Sequence, residues 1–268
     1  MADQSVRDVP LSERHAPERT QFRVLGVGVN AVQISDVVAQ MERWISEGDA
    51  CHFIAVTGMH GVTEAQHDPS FKKILNSADL VVPDGMPLVW LGRRHGHPLK
   101  RRVYGPELMQ TFCNATSGMY RHFLFGGVPG VAASLGQVLN EMYGINVVGD
   151  YSPPFRELSN EEDKEILALI HAAKPDVLWV GLSTPRQERW MYEHRSKLRV
   201  SVVLGVGAAF DINSGRSRQA PRWMREHGLE WSFRLVQEPQ RLWRRYLVYG
   251  SEFVWNVTLE LLSLRRFD

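Results

Sequence analysis

The sequence places an aspartate where a catalytic base could act. Asp84 lies in the turn Pro83-Asp84-Gly85, directly after Leu80–Val82, a short apolar run that is typical of a buried strand. A carboxylate at the carboxyl end of a strand could accept a proton from a substrate hydroxyl. The same side chain could instead bond its own backbone and only stabilise the turn. The local sequence leaves both interpretations open.

A glycine pair offers a place for an anionic ligand. Gly126-Gly127 follows the predicted strand His122–Phe125 and precedes a helix predicted from about Pro129 to Tyr143. Backbone N–H groups and the positive end of the helix dipole would face a phosphate there. No Gly-Lys-Ser/Thr follows, so the segment is not a P-loop. Glycines also let helices pack closely on strands, and this second interpretation stays open.

A third polar break, Ser183–Gln187, follows the predicted strand Val177–Val180. Thr184 could cap the next helix, with Pro185 in its first turn. Gln187 would then lie at the start of that helix, where its amide could bind a base or a sugar. Capping alone also accounts for the segment.

Arginines are the groups in this chain that could hold a diphosphate. The sequence has no Asp-x-Asp pair, with which many sugar-nucleotide transferases hold a divalent cation, and we predict no metal site. Arginines or helix N-termini must then meet the diphosphate charge. Arg234, Arg241 and Arg244 are spaced by seven and three residues, which predicts one helix face unless Pro239 breaks the helix. Arg102 lies just before another predicted helix.

The elements that position these residues follow from the hydrophobic pattern. Short apolar runs alternate with amphipathic helices, which predicts an α/β fold with a largely parallel sheet and helices on both faces. In such sheets ligands bind beyond the carboxyl ends of the strands, where Thr57 and Asp84 are predicted to lie. The other predicted strands are Phe22–Val29, His52–Val56, Ile145–Val148 and Val200–Leu204. The other predicted helices are 35–46 (capped by Ser35), a helix ending near Gln66, Asp68–Ala78, Gly105–Thr116, Ser159–Ala173 and Gln187–Arg195.

Charge is distributed unevenly along the chain. The 268 residues include 31 Lys and Arg against 30 Asp and Glu, a net charge of +1. Residues 216–268 carry ten Arg, no Lys, six acidic residues and four of the eight Trp, whereas residues 1–215 have a net charge of −3. We therefore predict a disordered leader over residues 1–20, an α/β core over 21–215 and a helical Arg/Trp-rich appendage over 216–268.

The composition predicts a cytoplasmic protein. Its two cysteines, Cys51 and Cys113, cannot form a disulfide framework, and the first twenty residues lack the apolar stretch of a signal peptide. The uncharged apolar stretch Val200–Phe210 in the core has 11 residues and is too short to span a bilayer. Residues 246–264 could form a helix that lies on a membrane surface or on a partner subunit.

Several of these segments together resemble the bacterial WecG/TagA/CpsF glycosyltransferases. The resemblance runs from about Phe22 to Tyr246, and the order and spacing of its segments make it specific. The matching segments are Val56-Thr57-Gly58, 78–85, 102–108, 183–188, 228–235 and Glu238-Pro239 with Arg241, Arg244, Arg245 and Tyr246.

The resemblance implies a Rossmann-like core and an inverting, metal-independent transfer of a hexose or N-acetylhexosamine. The donor would be a UDP-sugar, and the acceptor would be linked to polyprenyl diphosphate, such as undecaprenyl diphosphate, at the cytoplasmic membrane surface. No cofactor and no nucleic-acid partner are expected, and a homo-oligomer is left open. The resemblance assigns Asp84 as general base and Thr57 near the reacting sugar. The expected substrate-binding residues are Arg102, Gln187, Arg234, Arg241 and Arg244, with the helix start at Gly126 and Gly127.

One segment departs from the family pattern. Many members have Thr-Pro-Asn where this chain has Thr57-Gly58-Met59, so a polar Asn contact is missing. We therefore expect a donor sugar different from the N-acetylmannosamine-type donors of the best-known members. The form 83–87, Pro-Asp-Gly-Met-Pro, is similar to a branch in exopolysaccharide pathways, where the sugar is glucose or another hexose.

The sequence is also compatible with two other functional classes. Gly26-Val27-Gly28 supplies half of a dinucleotide fingerprint, which would suit a nicotinamide-dependent oxidoreductase. Arginine interleaved with tryptophan in the appendage would suit a nucleic-acid-binding module. The near-neutral chain and the six acidic residues of the appendage count against the second class.

Overall fold

The computed structural model describes residues 20–267, so the leader expected over residues 1–20 lies, apart from Thr20, outside the described residues. The strands are β1 (Gln21–Val24), β2 (Val27–Asn30), β3 (His52–Thr57), β4 (Leu80–Pro83), β5 (Arg121–Gly126), β6 (Asn146–Tyr151), β7 (Val177–Gly181) and β8 (Val202–Gly205). Six of them form one sheet in the order β4-β3-β8-β7-β5-β6. The pairs β6–β5, β5–β7 and β7–β8 are parallel, which confirms the predicted α/β class with a mostly parallel sheet.

Helices connect the strands, close to the predicted bounds. The prediction missed α4, which begins two residues after Asp84, and helix α1 begins at Ile34, so Ser35 is inside it and is not its cap. The helices are α1 (Ile34–Glu47), α2 (Met59–His67), α3 (Pro69–Asn76), α4 (Met86–Arg94), α5 (Gly105–Ala115), α6 (Val131–Tyr143), α7 (Asn160–Ala173), α8 (Arg186–His194), α9 (Ala209–Asn213), α10 (Arg222–Glu226), α11 (Glu230–Gln237), α12 (Pro239–Trp243) and α13 (Tyr249–Leu261).

The described chain forms two compact units. The first contains residues 34–54 and 105–218, and the second contains residues 20–33, 55–104 and 219–267. Neither unit is continuous in sequence. The division expected from composition, at residues 215 and 216, stays a prediction about domains.

In the first unit, strands β5 and β7 form a buried and mainly apolar centre. Four successive residues of β7, Val177–Val180, have no exposed surface. Strand β5 ends at Gly126, whose φ of 140° is open only to glycine, and a Cβ there would lie 2.5 Å from the carbonyl oxygen of Gly181. The close approach of two strand ends therefore requires glycine at this position.

In the second unit, the expected strand Phe22–Val29 is wrong, because a hairpin forms instead. Leu25 and Gly26 adopt φ values of 50° and 78°, and the chain turns back so that Gln21 pairs with Asn30 in an antiparallel sheet. The buried side chain of Asn30 accepts a 2.8 Å hydrogen bond from the backbone N–H of Val81. The hairpin therefore anchors β4, the strand that leads to Asp84.

The last part of the second unit is helical but interrupted. Glu238, with φ −132° and ψ 61°, separates α11 from α12, and a π-helical turn, Arg244–Val248, then leads into α13. The continuous helix on which Arg234, Arg241 and Arg244 would share one face is therefore absent. Within the described part of the chain, no helix is both long enough and apolar enough to cross a bilayer.

Candidate active site

Backbone contacts in the second unit hold Asp84 in place. The Asp84 N–H donates a 2.7 Å hydrogen bond to the carbonyl oxygen of Thr57, and the N–H of Val103 donates a 2.8 Å bond to that of Pro83. Gly58 approaches so closely that a Cβ there would lie 2.2 Å from the Asp84 carbonyl oxygen. The end of β3, the end of β4 and the segment before α5 therefore converge on this aspartate.

Two carboxylates share the guanidinium of Arg102. Its Nη1 lies 3.9 Å from Oδ1 of Asp84, and its Nη2 donates a hydrogen bond to Oε2 of Glu230, the first residue of α11. The hydroxyl of Tyr104 donates a 2.6 Å bond to Oε1 of Glu230. The Cζ of Arg102 also lies 4.1 Å from the centroid of the Tyr104 ring, within cation–π distance. Arg102, Tyr104 and Glu230 thus form one connected cluster beside Asp84.

The surroundings of Asp84 favour the protonated form of its carboxyl more than bulk water does. Removal of its carboxyl from bulk water raises its pKa from 3.8 to about 6, although 31% of the side chain stays exposed. Arg102 opposes this rise, Glu230 adds to it, and Arg245 and Arg234 oppose it. The carboxyl is therefore mostly ionised at neutral pH, yet it is a stronger proton acceptor than a surface aspartate.

Arg245 has no role among the residues predicted from sequence, although the resemblance includes it, but its charge acts on Asp84 together with that of the expected Arg234. Burial and the neighbouring charges of Arg234 and Arg241 lower the pKa of Arg245, while Asp84 raises it. Arg241 is exposed and pairs with Glu238. Arg244 is exposed, and its Cζ lies 5.9 Å from the Trp243 ring. The break at Glu238 and the π-helical turn change the phase of the helix, so spacing in sequence could not identify Arg245.

Two polar side chains near the end of β3 have atoms available for a ligand. The Oγ1 of Thr57 and the Nδ1 of His60 are buried and have no hydrogen-bond partner among the described residues. Burial and the charge of Arg245 lower the pKa of His60 to about 3, so its imidazole is neutral. Both atoms could bond a hydroxyl group. His60 was not a sequence candidate.

The first unit contains the other predicted binding residues. Gln187 is buried at the start of α8, where its Nε2 donates a 3.0 Å bond to Oε1 of Glu188. Thr184 does not cap this helix, because its hydroxyl donates to the same Oε1 at 2.8 Å and Pro185 occupies the cap position. The Oε1 of Gln187 has no hydrogen-bond partner among the described residues.

The glycine pair is also in the first unit. Gly127 donates its backbone N–H to the carbonyl oxygen of Gly181 at 3.0 Å, and α6 begins at Val131 after Gly130, which has φ 86°. The helix therefore starts later than the expected Pro129. The close packing of this turn gives Gly126 a structural role, and phosphate binding there stays a prediction.

Two groups of residues bear on cofactor and metal binding. Gly26 and Gly28 lie in the β1–β2 hairpin, and the next helix, α1, begins only at Ile34, so the glycines do not open a helix as a dinucleotide fingerprint requires. Among the described residues, one group, Glu47, Asp49 and His52, has carboxylate and imidazole atoms within 4.8 Å of one another. Both carboxylates are exposed, and such groups are common without an ion, so this cluster is not assigned a metal.

Comparison with known proteins identifies a family. The model of the glycosyl transferase WecG/TagA/CpsF family matches residues 22–267. The N-acetylglucosaminyldiphosphoundecaprenol N-acetyl-beta-D-mannosaminyltransferase of Bacillus spizizenii is 30% identical over 217 residues, which cover 80% of this chain and 82% of the relative. The transferase of that name from Bacillus subtilis (strain 168) is 29% identical over 67% of this chain and 69% of the relative. The one from Staphylococcus aureus (strain MW2) is 26% identical over 82% of this chain and 86% of the relative.

The contact between Gly58 and Asp84 gives a testable prediction. In Gly58→Ala the new methyl group would meet the Asp84 carbonyl oxygen at 2.2 Å, so the two loops must separate. We expect a loss of about 1–3 kcal/mol in the free energy of unfolding, measured by urea denaturation, together with reduced turnover. Gly250→Ala is the matched control, because its nearest neighbour outside its own helix would be the Met59 Cε at an ordinary 3.5 Å. Equal stability of the two variants would contradict the contact.

Proposed function

Because this chain belongs to the WecG/TagA/CpsF family of glycosyl transferases, we propose that it transfers a hexose or N-acetylhexosamine from a UDP-sugar to a polyprenyl-diphosphate-linked acceptor. The reaction would serve the synthesis of a bacterial surface polysaccharide or exopolysaccharide. The observation that carries the proposal is Asp84, a carboxyl with a raised pKa at a strand end beside arginines. The names of the relatives, which specify an undecaprenyl-diphosphate-linked acceptor, support the substrate class.

The proposed chemistry is an inverting displacement at the anomeric carbon. Asp84 accepts the proton of the acceptor hydroxyl, whose oxygen forms a bond to the anomeric carbon on the face opposite UDP. The bond between that carbon and the diphosphate oxygen breaks, and UDP leaves with the electron pair. A positioned base of this kind contributes about 10² to 10⁴ in rate.

Arginines would stabilise the negative charge that develops on the leaving diphosphate. Arg234 and Arg245 are half-buried, and their charges already act on Asp84. Guanidinium groups removed from water bind diphosphate oxygens strongly and do not reorganise during the reaction. This supports a reaction that does not need a divalent cation, as the missing Asp-x-Asp motif also suggests. Thr57, with its unpaired buried hydroxyl, would contact the reacting sugar.

Other assignments rest on the family resemblance. Arg241 and Arg244 are proposed to contact the diphosphate, and Arg102 and Gln187 the donor. Gly126 and Gly127, which the resemblance does not assign, are proposed from their position between β5 and α6 to bind phosphate through the start of that helix. Each of these roles is a proposal about substrate binding.

Because the proposed acceptor carries a lipid, the transfer would take place at a membrane surface. Helices α12 and α13 expose large apolar side chains, including Trp243 (47%), Trp255 (64%) and Val254 (63%). Indole rings and arginines favour the headgroup region of a bilayer. We therefore include peripheral attachment of these helices to the cytoplasmic face of the membrane in the proposal.

The central test measures UDP released from a panel of UDP-sugars with an undecaprenyl-diphosphate-linked N-acetylglucosamine acceptor. The wild-type chain is expected to release UDP only when acceptor is present and to remain active in EDTA. In Asp84→Asn turnover should fall by about 10²-fold or more, because the base is lost, while UDP-sugar affinity stays nearly unchanged. Full turnover in this variant would remove the base assignment, and a lack of release with every donor would contradict the proposed function.

A second prediction concerns Arg245. Arg245→Ala should lower kcat/KM by about 10²-fold, because one guanidinium at the leaving diphosphate is removed. The assay belongs at pH 8, where the Asp84 carboxyl is ionised despite the loss of a neighbouring cation. Arg265→Ala, which removes an arginine from the end of the same region, is the control and should retain activity. Equal activity of both variants would exclude Arg245 from the reaction.

Membrane attachment is tested by flotation with vesicles that contain anionic lipid. The double variant Trp243→Ala, Trp255→Ala should be recovered in the floating fraction much less than the wild type, because two indole anchors are lost. Trp90→Ala removes an indole that is 51% exposed on α4 and serves as the control. Unchanged flotation of the double variant would contradict a role for these helices at the membrane.

A further inference from the structure

A buried carboxylate in the second unit has no role in the proposed reaction. The side chain of Glu230 is only 7% exposed, although charged residues are rarely buried unless they are paired. Both of its oxygens are engaged, Oε1 by the Tyr104 hydroxyl at 2.6 Å and Oε2 by Nη2 of Arg102. Its two partners lie two residues apart, just before α5.

The geometry divides Arg102 between two acceptors. Nη2 is hydrogen bonded to Glu230, while Nη1 lies 3.9 Å from Oδ1 of Asp84, which is beyond hydrogen-bond distance. If Glu230 released the guanidinium, Arg102 would have Asp84 as its nearest remaining carboxylate. A direct pair between Arg102 and Asp84 would occupy the lone pairs that a base needs and would favour the ionised carboxylate.

We propose that Glu230 is a positioning residue that holds Arg102 3.9 Å from Asp84 and so leaves the Asp84 carboxylate free to accept the proton of the acceptor hydroxyl. The inference rests on the proposed function, since it assumes that Asp84 is the base. Glu230, at the start of α11, would thus control the basicity of Asp84, while the arginines that follow it are proposed to bind the diphosphate.

The surrounding charges set the direction of the expected effect. Arg102 and Tyr104 face Glu230 from the segment before α5, Arg234 lies on the same helix as Glu230, and Arg245 acts on Asp84 from the π-helical turn. The three arginines lower the pKa of Asp84, while the charge of Glu230 raises it. Loss of that negative charge therefore shifts the balance toward ionised Asp84 and weakens it as a base.

A purely structural interpretation of Glu230 makes a different prediction. An acidic residue in the first turn of a helix stabilises the helix through its dipole, and a buried hydrogen bond ties α11 to the rest of the unit. Loss of these contacts would reduce stability and the amount of active enzyme. It would not move the pH at which the remaining active enzyme gains its proton.

The decisive experiment is the pH dependence of kcat/KM between pH 5 and 8.5 for wild type, Glu230→Gln and Glu226→Gln. The wild type should lose activity below a pH of about 6, where Asp84 becomes protonated. Glu230→Gln keeps the size of the side chain but removes its charge, so we expect this acidic limb to move down by about one pH unit. The activity at pH 8 should also fall by a few fold, because a weaker base accepts the proton less readily.

The controls separate the possible failures. Glu226→Gln removes an exposed carboxylate that pairs with Arg222 on α10, and its limb should coincide with the wild type. An unshifted limb in folded Glu230→Gln overturns the inference alone, whereas full turnover in Asp84→Asn overturns the proposed function on which it rests. If Glu230→Gln does not fold, Tyr104→Phe replaces it. That change removes one of the hydrogen bonds that hold Glu230, so the acidic limb of kcat/KM should move to lower pH by a smaller amount. An unchanged acidic limb in Tyr104→Phe would also overturn the inference.

Discussion

The sharing of one guanidinium between two carboxylates is the interaction on which the candidate site depends. Arg102 donates a hydrogen bond to Glu230 and remains 3.9 Å from Asp84. A buried carboxylate is costly unless a cation or a hydrogen-bond donor compensates it, and here the compensation is unequal. Glu230 receives two donors, while Asp84 is left with a raised pKa of about 6. This inequality distinguishes a structural carboxylate from one that can exchange a proton near neutral pH.

The charged groups that act on Asp84, together with Asp84 itself, carry an excess of positive charge. Arg102, Arg234 and Arg245 outnumber Asp84 and Glu230, and burial together with like charges lowers the pKa of Arg245. Bringing cations together away from water is unfavourable unless an anion completes the site. A diphosphate would supply such an anion, and its binding would relieve the repulsion among the arginines. The uneven charge of the sequence, acidic before residue 216 and basic after it, thus has a local counterpart in the second unit.

The backbone around Asp84 leaves little room for change. The aspartate donates its N–H to Thr57, and Gly58 approaches its carbonyl oxygen too closely for any side chain. The side chain of Asn30 also holds β4, through the backbone N–H of Val81. Each of these contacts joins segments that are distant in sequence. The direction of the carboxyl is therefore set by tertiary packing and not by the local turn, which the Pro-Asp-Gly sequence would form on its own.

Hydrophobic periodicity by itself determined the α/β class, most helices and strands, and the location of Asp84 and Thr57 at strand ends. This is because the spacing of apolar residues in the sequence reflects which faces of each helix and strand are buried. It did not reveal the β1–β2 hairpin, which depends on positive φ angles at Leu25 and Gly26, nor helix α4. The arginine spacing assumed an uninterrupted helix, and the helix is broken at Glu238 and followed by a π-helical turn, with the result that the charge of Arg245 acts on Asp84 together with that of Arg234. Glu230 and His60 became visible only in three dimensions, because burial and the distance between charged groups depend on segments far apart in sequence, which only the folded chain brings together.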